Sequence, residues 1–353
     1  MTHQATQTKP LLQVSNVQKF FPIRRGFLRR HVGDVKAVDD VTFEIHRGET
    51  LGLVGESGCG KTTLGRLLLR ALEPTSGRVI FRKTDEDEVD VTALGYSELR
   101  ELRRHMQLVF QDPFSSLNPR MMVREIIGEP LLCYGMRNLR ERSERVAELL
   151  KLVGLNTGYM SRFPHAFSGG QRQRIGVARA IALNPDLIIA DEAVSALDVS
   201  VQAQILNLLE DIQERLSLTY LFISHDLGVI EHVCDRVIVM YVGQIVEVGR
   251  TQEIFQTPKH PYVEALLSAV PRPDPSYKLE EYAIKGEVAD PANRPKGCPF
   301  HPRCPYAQSI CGEEAPVLKL TGGEAETRTN HAVACHFSDK LELRGVVNAR
   351  KLS

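Results

Sequence analysis

The stretch Gly55-Glu-Ser-Gly-Cys-Gly-Lys-Thr62 fits the phosphate-binding pattern G-x-x-x-x-G-K-[ST]. A short apolar run, residues 49–54, precedes it, and leucines at helical spacing follow it in residues 62–72. The glycines let the backbone wrap closely around a phosphate, and the N–H groups at the helix start point towards the anion. The sequence therefore predicts a strand, a P-loop and a helix that together bind a nucleotide.

Two side chains of this loop have predicted chemical roles. Lys61 supplies a positive charge for the β- and γ-phosphates, and the Thr62 hydroxyl binds Mg²⁺. Cys59 lies in the loop without a predicted chemical role. The predicted ATP contacts are Gly55, Glu56, Ser57, Gly58, Cys59, Gly60, Lys61, Thr62 and Thr63.

Two adjacent acids follow the apolar run Leu187-Ile-Ile-Ala190. A P-loop needs a carboxylate at the end of a neighbouring strand to complete its Mg²⁺ site, and Asp191 occupies such a position. Glu192 is then the residue that orients and deprotonates the attacking water. The alternative is that the two acids only cap the following helix.

A second glycine-rich stretch, Phe167-Ser-Gly-Gly-Gln171, precedes a helix that carries several arginines. Small residues and exposed N–H groups at a helix start can bind a second anion, but the same pattern also fits a plain N-cap. This stretch alone leaves both interpretations open.

The composition favours a folded chain of about two domains. The chain has 353 residues, 42% of them hydrophobic, and its 44 basic residues balance 44 acidic ones, so no global charge attracts nucleic acid. No apolar run approaches the ~20 residues that cross a bilayer, and the polar N-terminus lacks a signal-peptide pattern. The seven cysteines, an odd number, argue against a disulfide framework. We therefore predict a cytosolic chain that only a partner holds at a membrane.

Strand and helix patterns alternate along most of the chain, which is typical of a largely parallel sheet covered by helices. The four arginines between residues 24 and 30 are predicted to lie in a solvated loop, with contact to phosphate or lipid as the alternative. Prolines after Val270 indicate a linker and a loop-rich appendage. The predicted strands are 11–21, 41–45, 49–54, 77–81, 106–110, 187–190, 219–223, 237–241 and 244–248, and the predicted helical segments are 62–72, 123–153, 171–183, 201–216 and one after 223.

Taken with three further motifs, these stretches resemble the nucleotide-binding subunit of an ATP-binding-cassette (ABC) transporter. The further motifs are the Q-loop with Gln111, the D-loop Ser195-Ala-Leu-Asp198 and the switch histidine His225, all in family order. The resemblance covers about residues 11–250 and implies the fold class, an α/β P-loop NTPase of the ABC type. It implies an ATP-binding domain over residues 1–258, with a helical subdomain at about 112–167, and a small loop-rich C-terminal extension over residues 259–353.

The resemblance also implies what the remaining motifs do. Two such domains meet head to tail, so that the glycine-rich stretch of one covers the γ-phosphate bound by the other. Gln111 contacts Mg²⁺ and the attacking water, and His225 contacts the γ-phosphate. Phe21 stacks on adenine; a core phenylalanine at a strand end is the alternative, with Phe20 as the substitute for stacking. The residues that the resemblance places in trans are Ser168, Gly169, Gly170, Gln171 and Asp198.

The substrate class is indicated by His260-Pro-Tyr-Val-Glu-Ala-Leu-Leu267, which resembles a segment that follows the cassette in oligopeptide, dipeptide and nickel importers. This resemblance implies import of di- or oligopeptides, with nickel, glutathione or another small solute as alternatives. A soluble non-transport ATPase is disfavoured because the chain has one cassette and no coiled-coil insert, and an exporter because of the tail.

The importer group also implies the partners and the location of the chain. They are a second ATPase subunit, related but distinct or else identical, two integral membrane permease subunits and an extracytoplasmic solute-binding protein. The chain would lie peripherally on the cytoplasmic face of the cytoplasmic membrane, with ATP and Mg²⁺ as its cofactors.

Four cysteines, Cys298, Cys304, Cys311 and Cys335, lie close together near the C-terminus and could supply thiolates to one metal centre. Their spacing is wider than the paired C-x2-C of structural zinc sites, which weakens a zinc interpretation. The pattern resembles the [4Fe–4S] tail of some peptide-importer ATPases; zinc and no metal are the alternatives. Nearby histidines complicate the assignment of ligands, although surface positions are expected for them: His301, His331 and His336.

Overall fold

The computed structural model describes residues 9–27, 30–110, 112, 116–269, 286–321 and 331–346. The strands in these ranges are β1 (Leu12–Arg25), β2 (Arg30–Ile45), β3 (Thr50–Val54), β4 (Ser76–Arg82), β5 (Glu88–Asp90), β6 (Met106–Val109), β7 (Leu187–Asp191), β8 (Thr219–Ile223), β9 (Arg236–Tyr241), β10 (Gln244–Arg250), β11 (Lys319–Leu320) and β12 (Ala332–Val333). The α-helices are α1 (Lys61–Leu68), α2 (Tyr96–Leu102), α3 (Val123–Cys133), α4 (Leu139–Leu152), α5 (Gly169–Ala180), α6 (Val199–Leu216), α7 (Leu227–Val233), α8 (Thr251–Gln256), α9 (Pro261–Ser268) and α10 (Ser309–Glu313).

These elements divide between two compact units. The first, here called the helical unit, contains Ile45–Thr50, Arg82–Ile223 and the described residues before Leu12. The second, here called the P-loop unit, contains Leu12–Glu44, Leu51–Phe81 and the described residues from Ser224 onwards. The two units are described separately below.

The helical unit is built on three parallel strands, in which β7 lies between β6 and β8. Every residue of β7 and β8 is buried, as expected for strands that are covered on both faces. Helix α6 presents Ile205, Leu208, Leu209 and Ile212 to the interior, which is the i, i+3, i+4, i+7 spacing of an amphipathic helix. The predicted parallel, helix-covered arrangement is confirmed in this unit.

The helical insert predicted over 123–153 consists of two helices rather than one. The chain turns at Gly135, whose φ of +100° lies in a region that favours glycine. Asn138 then caps α4, because its side chain accepts a hydrogen bond from Arg140 N. Helix α3 packs against both α4 and α5.

The P-loop unit contains parts of two sheets. Strand β1 lies between β2 and β4 in the first, and β1 is antiparallel to β4. In the second, β3 is parallel to β9, and β10 is antiparallel to both β9 and β12. Because β12 contains Ala332 and Val333, the C-terminal part of the chain adds a strand to the sheet that carries the P-loop.

The predicted loop around the basic residues 24–30 is wrong in extent. Strand β1 continues to Arg25 and β2 begins at Arg30, so strands occupy most of residues 22–40 between the first two predicted strands, while Arg29 lies outside the described residues. Arg24, Arg25 and Arg30 are exposed, as predicted. Hydrogen bonding to a neighbouring strand satisfies the backbone while charged side chains remain in water, so a solvated charged segment need not be a loop.

Three further differences concern the helices. Helix α1 ends at Leu68 rather than at residue 72, and α8 and α9 follow β10 where no helix is predicted. Helices of six to eight residues are too short to show a convincing period in the sequence. No helix in the described part of the chain combines the length and the apolar character that a membrane crossing requires.

Candidate nucleotide-binding and hydrolytic site

The P-loop connects β3 to α1 through a backbone path that requires glycine at two points. Gly55 has φ of +150° and Gly60 has φ of +106°. A Cβ atom at Gly55 would overlap the Met240 carbonyl oxygen, and one at Gly60 would overlap the Ala37 carbonyl oxygen. Gly58, with φ of +81°, has open space where a Cβ atom would be placed. Close backbone packing therefore holds both ends of the loop, and its middle faces outwards.

Alanine substitutions should separate these two kinds of glycine. Gly60→Ala is expected to lower the free energy of unfolding by about 3 kcal/mol, because left-handed strain and overlap with Ala37 add together. Gly58→Ala is expected to lower it by about 1 kcal/mol, from strain alone. Urea denaturation of the two variants measures the difference. Equal losses would show that the packing against Ala37 is not a significant constraint.

Lys61 is buried at the start of α1, and its ammonium group lies inside the loop. Its Nζ donates hydrogen bonds to the carbonyl oxygens of Gly55, at 2.8 Å, and Glu56, at 3.1 Å. Burial raises the pKa of the Cys59 thiol above its ordinary value. The loop therefore offers one concentrated positive charge beside exposed backbone at Ser57 and Gly58.

Neighbouring segments of the P-loop unit hold the P-loop in place through backbone hydrogen bonds. Gly243 N donates to Cys59 O at 2.8 Å, and Asp39 N donates to Gly243 O at 2.8 Å. Val242 and Gly243 both have positive φ, which is the geometry of a tight two-residue hairpin turn. A β-hairpin turn and strand β2 thus fix the loop, and neither contact is evident from the motif.

The C-terminal extension supplies further contacts that the sequence analysis missed. The Tyr262 hydroxyl accepts a hydrogen bond from Glu56 N at 2.8 Å. Both terminal nitrogens of Arg303 donate to the Glu56 carboxylate, at 2.8 and 3.0 Å. The His-Pro-Tyr stretch that contains Tyr262 indicates the substrate class but does not predict a contact with the P-loop. No pattern in the sequence points to Arg303.

In the helical unit, the two adjacent acids lie at and just after the end of β7. Asp191 is buried, and Glu192 has φ of +48°, an uncommon conformation for a residue other than glycine. Glu192 N donates to Ile223 O at 2.9 Å, which fixes this turn against β8. Asp198 caps α6 by accepting from Val201 N at 3.0 Å, so the alternative that Asp191 and Glu192 cap this helix is wrong.

The glycine-rich stretch after Phe167 forms a capping box at the start of α5. Ser168 Oγ accepts from Gln171 N at 3.4 Å, and Gln171 Oε1 accepts from Ser168 N at 3.2 Å. A Cβ atom at Gly170 would overlap Val201, so glycine is needed there for close packing against α6. The N-cap interpretation is confirmed; Ser168 is nevertheless exposed, and the trans role of Ser168, Gly169, Gly170, Gln171 and Asp198 stays a prediction.

His225 and Phe21 belong to the P-loop unit. His225 is exposed and follows Ser224, whose N–H donates to Leu53 O at 3.2 Å, next to the strand that leads into the P-loop. Phe21 is 38% exposed on β1, with Lys19 Nζ 5.1 Å from its ring centre, so the alternative of a core phenylalanine is wrong. Gln111 lies outside the described residues.

Four cysteine thiols line one small cavity in the C-terminal extension, of about 20 Å³. Burial, with a smaller contribution from the neighbouring thiols, raises the pKa of Cys298 to about 12 and that of Cys304 to about 11. Among the described residues, no three Cys, His, Asp or Glu side chains are grouped closely enough to hold a metal ion. The residues that line the cavity include Cys298, Cys304, Cys311, Cys335, Phe300, His301 and His336.

The surface position expected for His331 is wrong. This side chain is buried, and its Nε2 lies 2.7 Å from Glu247 Oε1, whose residue is fully buried on β10. Glu247 also accepts hydrogen bonds from Lys259 N and His260 N. His331 therefore joins the extension to the sheet, and its ring is engaged there.

Family comparisons match two segments of the chain. A family described as "ABC transporter" matches residues 38–195, and one described as "Oligopeptide/dipeptide transporter, C-terminal region" matches residues 246–311. The second match covers the His260-Pro-Tyr stretch and three of the four clustered cysteines.

Similar proteins match over most of their length. The oligopeptide transport ATP-binding protein AppF of Bacillus subtilis strain 168 is 53% identical over 336 residues, which cover 94% of this chain and 99% of that protein. The dipeptide transport ATP-binding protein DppF of Haemophilus influenzae is 48% identical, over 90% of this chain and 96% of that protein.

Among solved structures, a dimeric post-hydrolysis state of the ATP-binding cassette MJ0796, bound to ADP and Pi, is 29% identical to this chain. It matches with a TM-score of 0.59, over 68% of this chain and 98% of that one. CbiO1 of Clostridium perfringens matches with a TM-score of 0.58 at 27% identity, over 70% of this chain and 90% of that one. Both likenesses cover about the length of the predicted cassette.

Proposed function

The chain belongs to the family of ATP-binding subunits of ABC transporters, and we propose that its ATP hydrolysis drives uptake of di- and oligopeptides across the cytoplasmic membrane. The observation that carries this proposal is the presence of both segments in one chain. A segment that matches the ABC transporter family, residues 38–195, precedes a C-terminal region of the oligopeptide and dipeptide type, residues 246–311. The names of the similar proteins, which are transport ATP-binding proteins for oligopeptides and dipeptides, support the same substrate class.

The proposed chemistry follows from the residue types at each motif. Lys61 binds the β- and γ-phosphates, and Thr62, Asp191 and Gln111 hold Mg²⁺. Glu192 accepts a proton from the attacking water, and His225 contacts the γ-phosphate. Phe21 stacks on the adenine, which its exposure on β1 supports. These assignments rest on the motifs and their order.

We further propose that two ATP-binding subunits pair head to tail, so that Ser168 and its neighbours complete the site of the partner. The dimeric state of a matching solved cassette supports this pairing. A related but distinct chain is the proposed partner, together with two membrane permease subunits and an extracytoplasmic solute-binding protein. The chain would then lie on the cytoplasmic face of the membrane. The proposed division remains a cassette over 1–258, with its helical subdomain at about 112–167, and an extension over 259–353.

The C-terminal extension is proposed to carry a [4Fe–4S] cluster on its four clustered thiols. Their shared, mostly buried cavity supports a common ligand. Among the described residues, no group of three Cys, His, Asp or Glu side chains is placed to hold a metal ion of any kind. The proposal of a cluster rather than zinc therefore rests on the sequence spacing of the four cysteines, which is wider than the paired C-x2-C of structural zinc sites. When bound, such a cluster would crosslink segments of this loop-rich extension.

Peptide uptake tests the proposed function directly. In cells that lack their own copy, the unaltered chain should restore uptake of a labelled tripeptide, and Glu192→Gln should not, because transport needs hydrolysis. Labelled nickel uptake is measured in the same cells. Restored nickel uptake without restored peptide uptake would overturn the peptide assignment, and restoration of peptide uptake by Glu192→Gln would overturn its link to hydrolysis.

A further inference from the structure

Glu56, the second residue of the P-loop motif, is held at two points by the C-terminal extension. Its carboxylate accepts two parallel hydrogen bonds from Arg303, and its backbone N–H donates to the Tyr262 hydroxyl. Such a bidentate pair fixes both the position and the plane of the carboxylate. All three residues belong to the P-loop unit.

Arg303 is itself held firmly in place. Its side chain is only 6% exposed, and its guanidinium lies 5.9 Å from the ring centres of both Tyr241 and Phe300. It also donates to the Tyr241 hydroxyl at 3.3 Å. The hydrogen bonds to Glu56 raise the pKa of Arg303 above its ordinary value, so the guanidinium stays charged. This pair is therefore more rigid and less hydrated than an ordinary surface salt bridge.

The aromatic residues around this pair form one packed group. Tyr262 lies with its ring centre 4.7 Å from that of Tyr241 and 5.3 Å from that of Phe300. Tyr241 and Phe300 meet edge to face at 5.4 Å. Ring contacts at these distances restrict rotation of each ring, so the Tyr262 hydroxyl presents a fixed acceptor to Glu56.

The backbone of Glu56 also determines where the P-loop lysine lies. Lys61 Nζ donates to the carbonyl oxygens of Gly55 and Glu56, the peptide groups on either side of the Glu56 Cα atom. A change in the Glu56 backbone would turn these carbonyls and move the ammonium group. Arg303 and Tyr262 therefore influence the position of Lys61 through Glu56 alone.

We propose that Arg303 and Tyr262 are positioning residues of the nucleotide site, which hold Glu56 so that the P-loop is ordered before ATP binds. This inference rests on the proposed function, since the ligand is taken to be ATP. It makes the C-terminal extension a structural part of the site, although neither residue has to touch the nucleotide. Preorganisation of this kind strengthens binding by reducing the ordering that the ligand must impose.

The test measures affinity for a fluorescent ATP analogue with the purified full chain. Arg303→Met is expected to raise the dissociation constant about tenfold, and Arg303→Lys less, because lysine retains the charge but not the bidentate geometry. Tyr262→Phe should raise it several-fold. In the Arg303→Met background, Glu56→Gln should add little, since the two residues form one pair.

Arg82→Met is the matched control, because the Arg82 side chain is also largely buried and pairs with a carboxylate, that of Glu88 at 3.2 Å, but lies in the helical unit. It is expected to lower the thermal midpoint as Arg303→Met does, yet to leave the dissociation constant within about twofold. A purely structural role for Arg303 predicts that both variants change affinity only in proportion to their loss of stability, and that result would overturn the proposal.

Lys61→Ala separates failure of this inference from failure of the proposed function. If the unaltered chain does not bind the analogue, or binds it equally well without Lys61, the assignment of the nucleotide site fails. If Lys61→Ala abolishes binding while folded Arg303→Met binds as the unaltered chain does, only the positioning role is overturned.

Discussion

Replacement of Glu192 by glutamine is expected to lower the rate of ATP hydrolysis at least about a hundredfold while ATP binding is retained. Glutamine has the size and shape of glutamate but cannot accept a proton from the attacking water. General base catalysis typically contributes about 10²- to 10⁴-fold, which sets the expected range. Phosphate release under single-turnover conditions and the dissociation constant for ATP are the two measurements.

The backbone at Glu192 makes this substitution more informative than removal of the side chain would be. Its φ of +48° is an uncommon conformation that the contact of Glu192 N with Ile223 O helps to hold. Glutamine keeps the same backbone requirements, whereas glycine would relax this strain and confuse two effects. A loss of hydrolysis in Glu192→Gln therefore reports on the carboxylate.

Glu214→Gln provides the control, since Glu214 is an exposed carboxylate on α6. It should hydrolyse ATP at the rate of the unaltered chain. Hydrolysis by Glu192→Gln within about threefold of the unaltered rate would contradict the assignment and shift attention to another water-activating group.

The parts of the fold that the sequence predicted well share one physical property. Strands β7 and β8 are continuous buried apolar runs, and α6 has a clear amphipathic period over 18 residues. Burial strongly determines the residue types in such elements, so the pattern of apolar residues in the sequence is enough to predict them. The P-loop was equally clear because its glycines are required by backbone geometry at Gly55 and Gly60.

The parts that were missed depend on contacts between distant residues. Arg303 and Glu56 are separated by 247 positions, and neither belongs to a periodic stretch that would indicate its partner. The surface position predicted for His331 is wrong because its partner Glu247 is 84 positions away, and nothing in the sequence near His331 indicates this pairing. The strand ends at Arg25 and Arg30 lie in the predicted loop because their charged side chains show no apolar alternation.

The four clustered cysteines give the second large expected effect. Chain purified without oxygen should contain iron and acid-labile sulfide at about four of each per chain and absorb visible light. Cys304→Ser should lose most of this absorbance and iron, because a cluster held by three thiolates is easily lost. Cys133→Ser should keep both, since Cys133 is exposed on α3 and is not among the residues that line the cavity.

The metal content decides among the three interpretations of this cavity. One zinc ion per chain without visible absorbance would favour a structural zinc site, although the spacing of the thiols argues against it. Absence of both metals, with the same thermal midpoint in Cys304→Ser and the unaltered chain, would mean that the thiols only fill space. Iron and sulfide together would instead show that these thiols bind as thiolates although burial raises the pKa of Cys298 and Cys304. Cluster binding would then offset the cost of ionising them.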